Sequence, residues 1–178
     1  METRTYNVYK FNELNDEQKE KVVHNLRDIN VDYDWSQWTI KDETIRLETL
    51  GYNNAEIFFS GFWSQGDGAS FTATGDIEKL VPKKLRKFVD GITFSKSHQY
   101  EHEYTMSIHV EYNDEPTGRI QLVEFDNLEK ELLEDARNEA REIYKRLQNE
   151  YEYLTSDKSI IETIEANEYD FTEDGHIA

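Results

Sequence analysis

Polar side chains lie next to an aromatic run in the segment Ile57–Ala73, which reads IFFSGFWSQGDGASFTA. Ser64, Gln65 and Asp67 follow Trp63 and offer hydroxyl, amide and carboxylate groups. A loop that holds such groups beside an aromatic wall can bind and orient a small molecule. The segment therefore predicts a ligand-binding loop or, alternatively, a strand buried on both faces with a tight turn at its end.

The only basic segment of the chain follows this loop, between Asp76 and Asp90. It contains Lys83 and Lys84, directly after Pro82, which favours the first turn of a short helix. If the segment lies near the loop, either lysine would contact the phosphate of a nucleotide-type ligand. The alternative is that its charges only balance acidic neighbours.

Histidines are the best candidates for metal ligation. His98 and His102 have glutamates beside them, and His109 lies on the polar face of a predicted strand. The four-residue spacing of the first two suits a helix face, whereas this region resembles the approach to a strand. No HExxH or Gly-x-Ser-x-Gly motif is present, and the chain has no cysteine. The sequence therefore predicts no metal site, no other cofactor and no enzyme activity.

The charge of the chain is strongly negative, at −18 from 20 basic and 38 acidic residues. Direct nucleic-acid binding is disfavoured, because phosphate contacts require a positive surface. A negative field instead favours a partner protein with a basic surface, and it can imitate the phosphates of DNA. Most of the charge lies C-terminally, since the chain from Glu111 onward has 20 acidic and 7 basic residues. The candidate partner-binding face comprises Glu131, Glu134, Asp135 and Glu139.

Period-two patterns predict the strands of an antiparallel sheet. Ile57–Trp63 and Ser70–Thr74 flank a turn in which Gly66 and Gly68 supply positive φ, so they predict a hairpin. Tyr104–Tyr112 alternates strictly between apolar and polar residues. Arg119–Glu124 is predicted to return as an edge strand. The covered face of the sheet is expected to hold Phe59, Phe71, Met106, Ile108 and Val110.

Helical spacing predicts two N-terminal helices and a long C-terminal one. The first covers Asp16–Asn30, and the second covers about Asp34–Leu50, with Trp35 and Trp38 as core anchors or, alternatively, as rings that stack on a bound base. The long helix begins with a capping box at Asp126 and extends to Leu154. It is expected to pack across the sheet or, alternatively, to form the interface of a homodimer through its distal half. Its apolar stripe comprises Leu128, Leu132, Ala136, Ala140, Ile143, Leu147, Tyr151 and Leu154.

Together these elements predict an α+β fold with an antiparallel sheet of about four to five strands. The 178 residues suit a single domain, with a polar acidic tail from about residue 155. Within that tail, a short helix at Asp157–Asn167 and the rings of Tyr169 and Phe171 are expected to dock. The chain has no apolar run of about 18 residues and does not open with a signal peptide, so no membrane contact and a cytoplasmic location are expected.

Four short segments of the chain carry a resemblance: Tyr9–Leu14, Asn30–Trp35, Phe59–Ala69 (FSGFWSQGDGA) and Asn167–Gly175. They resemble segments of a family of small phage and prophage proteins. The resemblance is good to about residue 75 and looser beyond it. Members of that family are often labelled antitoxins of toxin–antitoxin systems, so the resemblance implies a phage context and the cytoplasm of a bacterial host.

Two functions are therefore expected. The first is a phage-encoded binding protein that blocks a host factor or defence system, or neutralises a toxin, through its acidic C-terminal third. The alternative is a small protein that binds or sequesters a nucleotide-type ligand at the Gly-containing loop.

Overall fold

A computed structural model describes residues 7–97, 99–113 and 118–178, which form an α+β fold. The predicted class, with its antiparallel sheet, N-terminal helices and long C-terminal helix, is confirmed. In chain order the elements are β1 (Tyr9–Lys10), α1 (Asp16–Asn25), α2 (Gln37–Leu50), β2 (Tyr52–Phe59), β3 (Ala69–Gly75), α3 (Ile77–Leu80), β4 (Val89–Lys96), β5 (Met106–Tyr112), α4 (Arg119–Leu154), α5 (Asp157–Ala166) and β6 (Asp170–Phe171).

The chain divides into two compact units. Unit 1 combines the chain up to Ser36 with Asn149–Ala178, and unit 2 is the continuous segment Gln37–Gln148. This division describes contacts within the fold, so the expectation of a single domain stays a prediction. None of the described helices is both long enough and apolar enough to cross a membrane.

Unit 2 is built on a four-stranded antiparallel sheet with the order β2-β3-β4-β5. Its first two strands form the predicted hairpin, although β2 ends at Phe59 and the aromatic residues that follow belong to the loop. The alternation predicted in β5 is confirmed from Met106 onward. Tyr104 is an exception, because it lies in a short 3-10 helix ahead of the strand and is exposed.

Aromatic rings fill the covered face of this sheet. The rings of Phe71 and Phe94 are both fully buried, and each meets the ring of Tyr52 edge-on at 5.1 to 5.2 Å between centroids. Of the residues predicted for this face, Phe71, Met106 and Val110 are buried, whereas Phe59 and Ile108 are half-buried.

Helix α4 has 36 residues, and the apolar stripe predicted for it is buried from Leu128 to Leu147. The prediction of an edge strand at Arg119–Glu124 was wrong, because these residues form the first turns of α4. The predicted capping box at Asp126 consequently lies inside the helix. Phe125 continues the buried side into these turns, where its ring stacks on Tyr112 at 4.1 Å. The homodimer interface expected on the distal half stays a prediction.

Helix α2 presents an unexpected side to the interior of unit 2. Its buried residues are Glu43 and Leu47, while Trp38 is 69% exposed. The prediction that Trp38 anchors the core was therefore wrong. Trp35 precedes the helix and packs against Tyr151 in unit 1, with ring centroids 5.6 Å apart.

Unit 1 packs α1 and α5 around Phe171, which β6 brings alongside β1. The capping box predicted at Asn15 and Gln18 is present, but α1 ends at Asn25 instead of Asn30. The segment expected to be a polar tail supplies buried residues of this core, and the docking predicted for Phe171 is confirmed. The buried residues of the cluster are Phe11, Leu14, Val22, Val23, Ile160, Ile164 and Phe171.

Candidate binding site at the hairpin loop

The loop between β2 and β3 is closed at its base by two hydrogen bonds. The Ser60 backbone N–H donates to the Gly68 carbonyl at 3.1 Å, and the Gly68 N–H donates to Ser60 Oγ at 3.2 Å. The two ends of the loop are therefore held together where β2 ends and β3 begins.

Asp67 organises the interior of this loop. Its Oδ2 accepts hydrogen bonds from the backbone N–H groups of Trp63, at 2.9 Å, and Ser64, at 2.7 Å. The bond from Ser64 is the main reason why the pKa of this carboxyl lies below its usual range, and the bond from Trp63 adds to it. The carboxylate that the sequence assigns to a ligand is thus engaged by its own backbone.

The two loop glycines that were predicted to have positive φ, Gly66 and Gly68, serve different purposes. Gly66 has φ +98°, as predicted, and residues with a side chain rarely adopt this backbone conformation. Gly68 was predicted to have positive φ as well, but it does not. Glycine is required at this position because the loop between β4 and β5 approaches its backbone closely. A Cβ there would lie 2.9 Å from His102 Cδ2 and 3.0 Å from the Glu101 carbonyl oxygen.

Aromatic packing supports the loop from one side. Phe62 stacks on Phe59, with centroids 6.0 Å apart, and meets Tyr144 of α4 at 5.5 Å. The Tyr144 hydroxyl donates to the Gly61 carbonyl at 3.2 Å. Trp63, the next residue, is 73% exposed on this supported turn. The loop therefore presents a large ring whose backbone is already ordered, which lowers the entropy lost on binding.

A second loop, between β4 and β5, contacts the base of the hairpin loop. Glu101 accepts hydrogen bonds from Ser70 Oγ at 2.9 Å and Lys96 Nζ at 2.7 Å, so this second loop is tied to β3 and β4. Tyr100 and Tyr104 on this second loop are exposed. We refer to Trp63, Tyr100 and Tyr104 as the aromatic end of unit 2.

Lys83 and Lys84 do not belong to this end of the sheet. Strand β3 leaves the loop at Ala69 and ends six residues later at Gly75, a rise of about 20 Å. The basic segment begins beyond that far end, where Pro82 opens a turn instead of the predicted helix. Lys84 Nζ pairs with Glu124 Oε1 at 2.7 Å. The topology thus separates both lysines from Ser64, Gln65 and Asp67.

A small-ligand site at the loop would need a concave pocket. Four clefts among the described residues have volumes from about 310 to 540 Å³, and none of the four is lined by Trp63, Ser64, Gln65 or Asp67. The loop instead carries the exposed ring of Trp63, which suits docking against another surface. Nucleotide-type ligand binding stays a prediction.

The acidic face predicted on α4 is partly neutralised within unit 2. Glu139 accepts a hydrogen bond from Arg46 Nη1 at 2.5 Å, and Glu134 pairs with Arg141 at 2.7 Å. Burial, together with the charges of Glu131, Glu139 and Glu134, raises the pKa of the Asp135 carboxyl. The salt bridges of the described residues leave Glu131 and Asp135 without a basic partner. These two carboxylates remain available to a cation from outside.

The predicted histidine ligands do not converge on one point. His98 lies outside the described residues. His102 stacks on Tyr104, and its Nδ1 lies 3.2 Å from the Tyr104 backbone N–H and 2.9 Å from Glu103 Oε2. His109 is exposed on β5, opposite Thr93. The described residues contain no cluster of three or more side chains that could hold a metal ion.

The sequence did not reveal the buried charge network beside the site. Glu43 Oε2 accepts from Arg46 Nε at 2.7 Å, and Glu43 Oε1 accepts from Arg146 of α4. Burial alone would lower the pKa of Arg46, but the hydrogen bonds and charges of Glu139 and Glu43 raise it. The three-residue spacing of Glu43 and Arg46 was the only available signal, because the other partners come from a distant helix. The network connects α2 to the helix that carries Tyr144.

We expect Asp67→Ala to loosen the loop without unfolding the protein. The amide hydrogens of Trp63 and Ser64 should exchange faster, by on the order of tenfold, because they lose a charged acceptor. In the wild-type protein the folded-state pKa of Asp67 is lowered. Its stabilising contribution is therefore present above the ordinary aspartate pKa of about 4 and is lost as the pH falls through the lowered value. Amide exchange by NMR checks both effects, and exchange rates equal to wild type would contradict the role given to Asp67.

A model of a family described as a domain of unknown function, DUF8835, matches residues 33–93 and 83–157 of the chain. The two overlapping segments include the hairpin loop, the four-stranded sheet and all of α4. No curated protein and no solved structure matches the chain.

Proposed function

We propose that this protein, which belongs to the DUF8835 family, is a non-catalytic binding protein that docks on a partner protein through its aromatic end. The observation that carries the proposal is the supported loop that holds Trp63 73% exposed. Tryptophan is enriched among the residues that dominate protein–protein binding energy. A ring fixed in this way is suited to enter a pocket of a partner.

The charge of the surrounding surface defines the kind of partner. Glu134 pairs with Arg141, whose guanidinium lies 3.6 Å from Glu103, next to the exposed ring of Tyr104. The acidic face of α4 therefore continues into the aromatic end. With Glu131 and Asp135 unneutralised and a net charge of −18, the complementary surface is basic. A groove that normally holds nucleic-acid phosphates has this chemistry.

The resemblance to phage and prophage proteins supports a bacterial host factor or defence protein as that partner, and a toxin would have the same chemistry. In each case the protein would act by occupying a functional surface of its target. The expected complex weakens as salt rises, because exposed charges are screened.

Trp63→Ala should weaken partner capture by about 30-fold or more, as expected for a hot-spot residue worth at least 2 kcal/mol. Tagged wild-type and variant proteins would be incubated with lysate of a bacterial host at low and high salt, and captured proteins would be identified by mass spectrometry. Affinity for the captured partner would then be measured with purified components.

Trp38→Ala is the matched control, since Trp38 is 69% exposed but lies on α2. It should leave affinity unchanged. Glu131→Gln with Asp135→Asn should weaken binding mainly at low salt. A partner that binds Trp63→Ala as tightly as wild type, or whose affinity is insensitive to salt, would contradict the proposal.

A further inference from the structure

Strand β5 is an edge of the four-stranded sheet. Ser97 N–H donates to the Thr105 carbonyl at 3.0 Å, and the register then pairs Ser107 with Ser95 and His109 with Thr93. Because backbone groups in an antiparallel pair point alternately toward and away from the partner strand, those of Ile108 and Val110 point away from β4. Arg137 Nη2 donates to the Met106 carbonyl at 3.2 Å, which fits this alternation and caps the start of the edge.

The other edge strand, β2, is protected against the addition of a further strand, whereas β5 is not. The pairing of β2 shifts register between Asn53 and Glu56, and Asn54 has φ +53°. Such a bulge prevents a regular strand from adding to that edge. From Met106 to Glu111, β5 is regular, and among the described residues no strand lies on its outer side.

A groove runs beside the open part of β5. It has a volume of about 310 Å³ and lies between the strand and the N-terminal half of α4. Tyr112 OH donates to Glu129 Oε1 at 3.1 Å, which holds this carboxylate at the groove wall. The lining residues are Ser107 and Ile108 from β5, and Asp126, Glu129, Lys130 and Leu133 from α4.

We infer that this groove accepts an extended, basic segment of a partner protein as a fifth strand on β5. The outward N–H and C=O groups of Ile108 and Val110 supply the backbone hydrogen bonds, as in other cases of strand addition. Alternate side chains of the added strand face α4, where Asp126 and Glu129 outnumber Lys130 and favour lysine or arginine. Leu133 provides an apolar contact between the charges. This surface is distinct from the aromatic end and does not depend on it.

A designed peptide of alternating lysine and valine, acetylated and amidated at its ends, is the first probe. Two matched peptides separate the contributions: one carries N-methyl groups on alternate amides, and the other has glutamate in place of lysine. We expect saturable binding of the first peptide, at least tenfold weaker binding of both others, and slower exchange of the Ile108 and Val110 amide hydrogens in the complex. Absence of saturable binding at millimolar peptide, equal binding of the N-methylated peptide, or protection confined to other amides would each overturn the inference.

Charge variants then locate the site. Asp126→Asn combined with Glu129→Gln should weaken the lysine peptide about tenfold. Glu142→Gln is the matched control, because Glu142 is an exposed α4 carboxylate that pairs with Lys145 away from the groove. Trp63→Ala should bind the peptide like wild type, so this test can fail independently of the function proposed for the loop. Equal weakening by the control variant would overturn the inference.

Discussion

Replacing Glu43 with alanine is expected to lower the free energy of unfolding by about 3 kcal/mol. Glu43 is only 4% exposed and is the shared acceptor of Arg46 and Arg146. Removing one partner of a buried ion network typically costs about 3–5 kcal/mol, because the remaining charges lose their compensation. The lower end applies here, since the side chain of Arg146 is 46% exposed and water can solvate it.

Urea denaturation at neutral pH, followed by circular dichroism, measures this loss. Glu48→Ala is the matched control on the same helix, since Glu48 is exposed and should change stability by no more than about 0.5 kcal/mol. If the two alanine variants unfolded at the same urea concentration, the ion network of Glu43 would not contribute to the free energy of unfolding. The expected loss of stability is larger than that for an ordinary surface salt bridge. Arg46 Nη2 is already buried without a hydrogen-bond partner, so the loss of Glu43 would leave the guanidinium still less compensated.

Phe71→Ala should be similarly damaging, with a loss of about 3–5 kcal/mol. The ring of Phe71 is fully buried and lies between Tyr52, at 5.2 Å, and Phe94, at 6.5 Å. Truncation would leave a cavity on β3 between the rigid rings of Tyr52 on β2 and Phe94 on β4. Because these strands are paired, the surroundings have little freedom to collapse into the cavity.

The same denaturation experiment includes Phe71→Leu as its control. Leucine keeps most of the apolar volume and should lose roughly 1.5 kcal/mol or less. If alanine and leucine proved equally tolerated, Phe71 would not be the centre of the sheet's covered face. A loss confined to alanine would confirm that the apolar volume buried at this position holds the hairpin in place.

Regular patterns in the sequence were sufficient to predict the main helices and strands of unit 2. The stripe from Leu128 to Leu147 is buried as predicted, because a helix against a sheet must bury residues three and four apart. The segment Arg119–Glu124 was misassigned because a short apolar run fits a strand and a helix equally well. What decides its structure is continuity with Phe125, whose ring stacks on Tyr112 in another element.

The errors at the site have a different origin. Trp38 was placed in the core because large aromatic residues usually are buried, yet α2 buries Glu43, whose charge is balanced by Arg46 and by Arg146 from a distant helix. The alternative that Lys83 and Lys84 lie near the loop rested on sequence proximity, but β3 carries the chain to the opposite end of the sheet. In both cases the deciding partner is set by tertiary topology, which a local pattern does not encode.

Unit 1 has a consequence for the order of events on the ribosome. Tyr9 pairs with Phe171, and Val22 shares its cluster with Ile160 and Ile164. Because synthesis proceeds from the N-terminus, α1 and Phe11 emerge long before the residues that cover them. Until the segment after Asn149 is translated, the apolar side of α1 stays exposed, whereas unit 2 is one continuous segment of the sequence. Nascent chains should therefore recruit a chaperone at their N-terminal part during most of their synthesis.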